Sequence, residues 1–568
     1  MCGIFGLINY NQYNIKKQYN SFLKGKPRGP EFSILKKYNN VAIGFHRLAI
    51  NGLNNESNQP FEINNVVLVC NGEIYNYKEL AKDNNIELQT DSDCEIILHL
   101  YLLYGVEYTL NLLDGVFSFS IYDKNTEQVI LARDPYGVRP LYFYFEYNVL
   151  GFASELKSLY NLCVYKNNIY NFLPGNYMII NNTKFINYAC FKYCYFPFKS
   201  DEFKIITNEL TNITYPMDLS AYSKIYDHIC SAVKKRVIGT TDRPIACLLS
   251  GGLDSSLICA LVNKYNKILN PESQLKTFCI GLEGSEDLKY AKIVADHINS
   301  DHHEIVVSED DFFNVIPEVI KTIESYDTTT VRASVGNYLV SKYIKEHTNC
   351  KVIFNGDGAD ELMGGYLYMK KAPNAHEFDR ETKRLLQDIY MYDVLRSDKS
   401  ISSNGLEPRT PFLDRSWVEY FLTIDKNVRY NTTKNNCEKF LIRKAVDLME
   451  PQLVPKNILW RTKEAFSDGV SSLNKSWFEI IQEKIDELCV NDKKLDNDLK
   501  VLTKTYNNFP LSNNTIKTKE QAYYRYYYNK YYENTDHLIP YYWMPKYIEA
   551  DDASARTLNV YNENNSNM

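Results

Sequence analysis

The sequence contains no run of about 20 apolar residues, so no segment is long enough to cross a bilayer as a helix. It has no excess of positive charge. The balance is -6 at pH 7, which argues against a general binder of nucleic acid or of anionic membranes. It lacks the CxxC spacing of a zinc site, and its 13 cysteines are odd in number and scattered. Cys190 and Cys194 stand close together but have no second pair. Reduced thiols in a cytoplasmic protein are therefore expected. No basic segment precedes the short apolar start, as a secretory leader requires. Tryptophan is scarce, with 4 residues, whereas tyrosine reaches 47 and asparagine recurs in runs. Both abundant residues have AT-rich codons, and that bias is a simpler source than a carbohydrate-binding surface.

What is present suits a globular protein with several cores: 568 residues, 45% hydrophobic and 24% charged. Up to about residue 190, short β-rich runs alternate with turns, at 41–45, 66–70, 116–122 and 129–132. One helix is expected from Ser92-Asp93-Cys94-Glu95, which has the spacing of a capping box, into Ile96-Ile97-Leu98. Asp93 then falls in an exposed first turn. These elements predict an α+β domain of layered antiparallel sheets. Residues 197–218 read as a polar connector. Further on, strand-like runs at 245–249, 277–280 and 352–354 end in Gly-rich turns and alternate with helical segments such as 257–265. That is the rhythm of an α/β doubly wound parallel sheet, whose ligands lie at the carboxyl ends of the strands. Beyond Arg415 the chain reads mainly helical. The polar stretch 549–568 is expected to be disordered.

Two constellations carry chemistry. The first is Met1-Cys2-Gly3-Ile4-Phe5-Gly6. Loss of the initiator methionine leaves a cysteine with a thiol and a free amine on adjacent carbons. With a pKa of about 7.7–8.0, that amine can accept the thiol's proton, so one residue supplies nucleophile and base. Taken alone, the segment also fits a plain hydrophobic first strand. The second is Leu248-Leu249-Ser250-Gly251-Gly252-Leu253-Asp254-Ser255-Ser256, a strand–turn–helix. Its glycines let main-chain N–H groups approach phosphate oxygens, Ser250, Ser255 and Ser256 add hydroxyl donors, and the helix N-terminus adds positive potential. There is no GK[ST], so the loop suits holding pyrophosphate while the α-phosphate is attacked. Asp254 suits Mg²⁺, a hard ion that takes carboxylate and phosphate oxygens together. In Asn355-Gly356-Asp357-Gly358-Ala359-Asp360-Glu361, Asp360 is the natural second ligand, although that segment alone reads as an Asp/Gly turn.

These segments occur in order with Arg28-Gly29-Pro30, His46-Arg47-Leu48-Ala49-Ile50, Asn71-Gly72-Glu73-Ile74-Tyr75-Asn76, Arg133-Asp134, Pro411-Phe412-Leu413-Asp414 and Lys463-Glu464. To about residue 535 the chain resembles the glutamine-hydrolysing asparagine synthetases. The resemblance implies a class II glutamine amidotransferase domain of N-terminal-nucleophile type over 2–195. It implies an ATP-pyrophosphatase domain of PP-loop type with extra helices over 220–535. It implies a carbon–nitrogen ligase using ATP and Mg²⁺. Cys2 would attack the glutamine amide, with the Asn71 side chain and Gly72 N–H as oxyanion hole. Arg47 would clamp the glutamine carboxylate, Ile50 would line the same site, and Glu73 and Asp93 would take the ammonium.

In the second domain, Leu248 and Ile280 would meet adenine through their main chain. Ser250, Gly251, Gly252, Ser255, Ser256, Asn355 and Gly356 would cradle the nucleotide. Asp254 and Asp360 would hold Mg²⁺, and Lys463 would neutralise the departing pyrophosphate. Thr329, Thr330 and Arg332 look like a loop that orders around aspartate and its adenylate. Asp357 would act on the intermediate. The family usually has glutamate at that position, with serine where Asn355 stands. Aspartate retracts the carboxylate by one methylene, and a misplacement of about 1 Å can cost ~10²-fold. Either a backbone shift compensates or synthesis is slow. Ammonia must travel neutral, so an apolar passage between the domains is expected. The partners implied are the small molecules glutamine, aspartate and ATP, with no nucleic acid and no membrane, and a homodimer. The rival readings are an adenylating relative with another carboxylate acceptor and a non-catalytic scaffold.

Overall fold

The computed structural model describes residues 1–181, 189–193 as main chain only, 218–239, 242–463, 469–471, 475–508, 514–550 and 552–554. The first strand, Gly3–Ile8, is apolar and buried throughout, which demands cover on both faces. It obtains this as an inner strand, paired antiparallel with Val41–Arg47 on one side and Val149–Ala153 on the other. That sheet runs in the order Ile169–Asn171, Tyr142–Glu146, Val149–Ala153, Gly3–Ile8, Val41–Arg47, Phe32–Tyr38. A second antiparallel sheet runs Ala189–Tyr193, Asn176–Ile180, Gln128–Arg133, Gly115–Asp123, Val66–Ile74, Phe61–Ile63. The sheets face each other across Ile4, Ile43, Phe45, Val67, Val69, Leu131 and Met178. Strand alternation turns Leu68, Cys70, Phe117 and Phe119 to the opposite face. There they pack with Ile96, Ile97 and Leu100 of the helix Glu95–Leu112. The layered sandwich expected from the sequence is therefore present.

The capping box at Ser92 does not form. Cys94 stands at the N-cap without a side-chain cap, and Glu95 instead accepts the main-chain N–H groups of Gln89 (2.8 Å) and Thr90 (2.7 Å). Two nearby donors in the preceding turn outcompete the single one at Ser92. Asp93 consequently precedes the helix and is buried, not exposed, and accepts the Ile74 N–H at 2.6 Å.

A third sheet is parallel, in the order Asp301–Val307, Lys276–Leu282, Ile245–Leu248, Val352–Phe354, Glu407–Arg409. The chain builds outward from Ile245–Leu248 on one side and then returns to build on the other. The order reverses between Ile245–Leu248 and Val352–Phe354, where a crevice opens beyond the strand ends. Helices Leu219–Ile238 and Leu253–Leu269 cover one face through Ile229, Val233, Leu257 and Leu261. Helix Thr328–His347 covers the other through Val331, Val335 and Ile344. Beyond Arg415 all described elements are helical.

The folded chain continues past the boundary expected at 535. Tyr326 donates its hydroxyl to the Ile539 carbonyl (3.0 Å), and the Trp543 N–H donates to Asp327 (2.7 Å). Asp552 and Ser554 are buried, which corrects the expectation of disorder for residues 549–550 and 552–554. Residues 555–568 lie outside the described residues. So does the expected connector, except Asp218, whose carboxylate caps Leu219–Ile238 by accepting the Ala221 N–H. No helix among the described residues is long and apolar enough to cross a membrane.

Candidate active sites

Cys2 leads directly into the buried strand Gly3–Ile8, which fixes its main chain. Its N–H donates to Asn71 Oδ1 (3.0 Å), and its Sγ lies 3.8 Å from the Leu48 carbonyl oxygen. Burial pushes the thiol up to about 11, against the pull of the Met1 ammonium and of Arg47. Asn71 stands on Val66–Ile74, fully buried, and its Nδ2 has no hydrogen-bond partner. A buried amide donor without an acceptor, on the residue that already holds Cys2, is placed to stabilise an oxyanion. Gly72 pairs with Phe117 so closely that a Cβ would lie 2.5 Å from the Val116 carbonyl oxygen. Asn71→Ala is expected to slow glutamine hydrolysis by about 10²–10³-fold and leave ammonia-dependent synthesis intact. An unchanged glutaminase rate refutes the assignment.

Arg47, at the end of Val41–Arg47, donates to the carbonyls of Asn54 (2.9 Å) and Gly52 and to Asn58 Oδ1 (2.8 Å). It makes no ion pair among the described residues, so a buried cation beside Cys2 lacks a carboxylate. Ile50 is buried on the same turn. Glu73 accepts from Asn51 Nδ2 (2.9 Å). Burial raises the Glu73 carboxyl well above its ordinary range, Asp93 and Glu407 add to that, and Arg409 opposes it. Asp93 is raised by burial in the same way, with the Ile74 N–H opposing. Two buried acids so destabilised as anions gain from an incoming ammonium.

Segments of the two candidate sites meet across the domain boundary. Arg409, on the last strand of the parallel sheet, lies 3.1 Å from Glu73 and 2.9 Å from Glu407. Glu407 in turn holds the Met1 ammonium at 2.7 Å. Arg28 donates to the Cys2 carbonyl (3.0 Å), to Glu155 (2.7 Å) and to Asp398 of the helix Asp393–Ser402 (2.6 Å). The interface also carries apolar packing, with Leu48, Ile50, Val116 and Val138 in one cluster with Ala232, Val233 and Phe412. The expected apolar passage thus describes only part of this ground. The main-chain link from Asn355 N–H to the Arg409 carbonyl (3.1 Å), and on through the guanidinium to Glu73, is polar.

The crevice at the strand reversal is walled by Leu248, Ser250, Gly252, Asp254, Ser255, Ile280, Thr329, Thr330, Asn355, Gly356, Asp357, Asp360 and Lys463. Gly252 is the N-cap of Leu253–Leu269, so the helix opens onto the crevice. Ser250 and Ser255 satisfy each other, Oγ to Oγ at 3.0 Å. A Cβ on Gly356 would lie 2.8 Å from Asp254 Cβ, which is why the two loops can touch. Asp254 and Asp360 face each other. Burial raises Asp254, with Lys439 opposing. Burial also works on Asp360, but Lys439 and Lys463 outweigh it and lower that carboxyl. Lys463 lies 2.7 Å from Asp360 Oδ2. Asp357 is 3.1 Å from Arg396, which draws its carboxylate toward the helix Asp393–Ser402.

Three expected residues are not in the wall. Gly251 (φ 72) turns its α-carbon to the helix Glu286–Ile298, where a Cβ would lie 2.4 Å from the Tyr290 carbonyl carbon. Ser256 is wholly buried behind the loop. Arg332 belongs to the helix Thr328–His347, not to a loop, and its guanidinium is taken up by carboxylates of later segments instead of the crevice. It makes paired contacts with Glu520 (2.8 and 2.6 Å) and Asp552 (2.8 and 2.7 Å). Arg332→Met would leave two buried carboxylates uncompensated at a cost of about 3–5 kcal/mol. A lower urea midpoint for the synthetase domain is expected, and an unmoved midpoint contradicts the pairing.

Sequence reasoning missed Lys439, Glu361, Arg396 and Arg461, all in the wall. Nothing in the spacing around Glu438-Lys439 marks a site. Residues 464–468 of the motif after Lys463 lie outside the described residues. Asp254 and Asp360 form an all-oxygen pair, and no group of three or more His, Cys, Asp or Glu suited to a metal occurs among the described residues. Asp254 Oδ1 has no hydrogen-bond partner. Two carboxylates with an unsatisfied oxygen fit an ion such as Mg²⁺, which completes its shell with phosphate and water.

Fold and sites define an amidotransferase of the N-terminal-nucleophile type joined to a nucleotide-binding synthetase domain. Residues 1–193 match the glutamine amidotransferase domain family, and residues 224–378 and 370–507 match the asparagine synthase family. The asparagine synthetase [glutamine-hydrolyzing] of Gallus gallus is 41% identical over 580 residues, covering 99% of each chain. That of Homo sapiens is 40% identical over 582 residues, again covering 99% of each. Among solved structures, the B. subtilis glutamine phosphoribosylpyrophosphate amidotransferase complexed with ADP and GMP aligns with a TM-score of 0.29. It is 16% identical, over 54% of this chain and 81% of its own. The chain belongs to the glutamine-hydrolysing asparagine synthetase family.

Proposed function

We propose that the two sites run one reaction sequence, making L-asparagine from L-aspartate, L-glutamine and ATP. The liberated α-amine of Cys2 takes the thiol's proton, the thiolate attacks the glutamine amide, and the resulting ammonium returns that proton to the leaving nitrogen. Asn71 Nδ2 and the Gly72 N–H receive the oxyanion, and ammonia leaves as the glutamyl thioester forms. Water then releases glutamate. Arg47 supplies the counter-ion for the substrate carboxylate, and Glu73 and Asp93 that for its ammonium.

In the crevice, the aspartate β-carboxylate attacks the α-phosphate of ATP, giving β-aspartyl-AMP and pyrophosphate. Asp254 and Asp360 would hold Mg²⁺, which when bound supplies charge neutralisation at the phosphates. Ser250, Gly252 and Ser255 hold phosphate oxygens, Leu248 and Ile280 flank the base, and Lys463 meets the charge of the departing pyrophosphate. Thr329 and Thr330 border the acceptor end. Asp357 faces the carbonyl that ammonia attacks; Arg396 holds it in place and opposes the rise that burial gives its carboxyl. Ammonia displaces AMP to give asparagine.

The single observation that carries this reading is the unpartnered Asn71 amide beside Cys2 in a chain whose second domain opens a serine–glycine loop onto two carboxylates. The deciding experiment is product analysis with glutamine, aspartate and Mg-ATP together. Asparagine, glutamate, AMP and pyrophosphate in equal amounts are expected. AMP formation with another amino acid but not aspartate would transfer the reading to a different acceptor. The protein acts through small molecules, and a homodimer and a cytoplasmic location are part of the same proposal.

A further inference from the structure

Lys439 has no role in the sequence above, yet its ammonium sits between the two carboxylates assigned to the cation. It lies 2.5 Å from Asp254 Oδ2 and 2.5 Å from Asp360 Oδ1, with its side chain 1% exposed. Lys463 reaches the other oxygen of Asp360. The position of Lys439 is built by its surroundings. The residue holds a left-handed main chain (φ 57) ahead of the helix Phe440–Met449, a conformation that side-chain-bearing residues rarely adopt. Gly365 clears the way, since a Cβ there would lie 2.1 Å from Lys439 Cε and 2.1 Å from Asp360 Oδ1.

A divalent ion binds carboxylate oxygens at about 2.0–2.1 Å if it is Mg²⁺. An ion placed between the two carboxylates would meet an ammonium already in contact with both. Without Lys439 the two buried anions would repel each other. We propose that Lys439 occupies the cation position in the nucleotide-free enzyme, so that the divalent ion enters only together with ATP. As the ion takes Asp254 and Asp360, phosphate oxygens arriving in the same crevice become the counter-ions of Lys439. Lys439 is then a positioning residue, which keeps the carboxylates together and shuts out free metal. This inference rests on the assignment of Asp254 and Asp360 to the metal–nucleotide site.

The test uses the full-length protein and Mn²⁺, counted by the paramagnetic resonance of the free ion, with and without a non-hydrolysable ATP analogue bridged by methylene between the α and β phosphorus atoms. Wild type is expected to take up Mn²⁺ only with the analogue. Lys439→Met is expected to take up one ion per chain without it, with at least tenfold tighter affinity than nucleotide-free wild type, and Lys439→Met/Asp254→Asn to lose that ion. Nucleotide-free wild type binding Mn²⁺ as tightly as Lys439→Met overturns the proposal. If Lys439→Met gains no ion while the analogue still loads wild type, the role of Lys439 fails alone. If the analogue loads no Mn²⁺ into wild type, the site assignment fails and takes the proposal with it. Should Lys439→Met not fold, wild type decides by itself, since equal uptake with and without the analogue is fatal.

Discussion

Cys2→Ala is expected to lower glutamine-dependent asparagine formation by about 10⁴-fold or more, while formation from ammonium salts and aspartate stays near the wild-type rate. The thioester cannot form without the sulfur. The side-chain contact of Cys2 is to Leu48, within the amidotransferase domain. Its main-chain contacts, to Asn71 and Arg28, survive the substitution. The change removes one sulfur atom from a half-buried position and leaves the crevice of the second domain untouched. The measurement is asparagine and glutamate formed with glutamine, compared with asparagine formed with ammonium chloride. Loss of the ammonia-dependent reaction as well would show that the sites are not separable in this way.

The reciprocal result is expected for Lys463→Ala. Synthesis from either nitrogen source should fall by about 10²–10³-fold, the range for losing one donor aimed at developing charge. Glutamine hydrolysis should persist. The ammonium lies 2.7 Å from Asp360. Burial works against its charge, but Asp360 and Asp254 outweigh that and raise its pKa, so it is a cation at every working pH. In the proposed reaction that charge meets the departing pyrophosphate. The loss should be confined to chemistry because the Lys463 N–H donates to Glu438 (2.8 Å), which holds the main chain whatever the side chain. Asp360 also keeps Lys439 as a counter-ion. Pyrophosphate release and glutamate release, measured in the same samples, check the two halves. Wild-type pyrophosphate release by Lys463→Ala would remove this residue from the mechanism.

The departure at Asp357 acquires a physical setting from the structure. Its carboxylate is engaged by Arg396, itself 2.8 Å from Asp393. Burial raises the Asp357 carboxyl and Arg396 opposes that. The shorter side chain is therefore held toward the helix Asp393–Ser402 by a cation. The sequence showed the missing methylene but not the arginine that compensates its charge.

What could be read in the chain was what neighbouring residues decide. The hydrophobic first strand, the strand endings expected at 249 and 354, and the serine–glycine and Asp/Gly loops are short-range patterns, and they marked both candidate sites. The sequence also carried the parallel rhythm of the second domain. It did not reveal the edge strands Asp301–Val307 and Glu407–Arg409, because an edge strand such as Asp-His-His-Glu carries little of the apolar signal that marks a buried one. Local rules failed where a competing partner stood nearby, as when Glu95 chose Gln89 and Thr90 over the cap at Ser92. They were silent where the partner lay far along the chain. Arg332 meets Glu520 and Asp552 across 188 and 220 residues, and Lys439 meets Asp254 across 185. A charged side chain takes its place from whatever opposite charge packing brings within hydrogen-bond reach. Residue order fixes which chemistry the chain owns, whereas the closing of two domains and three sheets alone settles which buried charges neutralise one another.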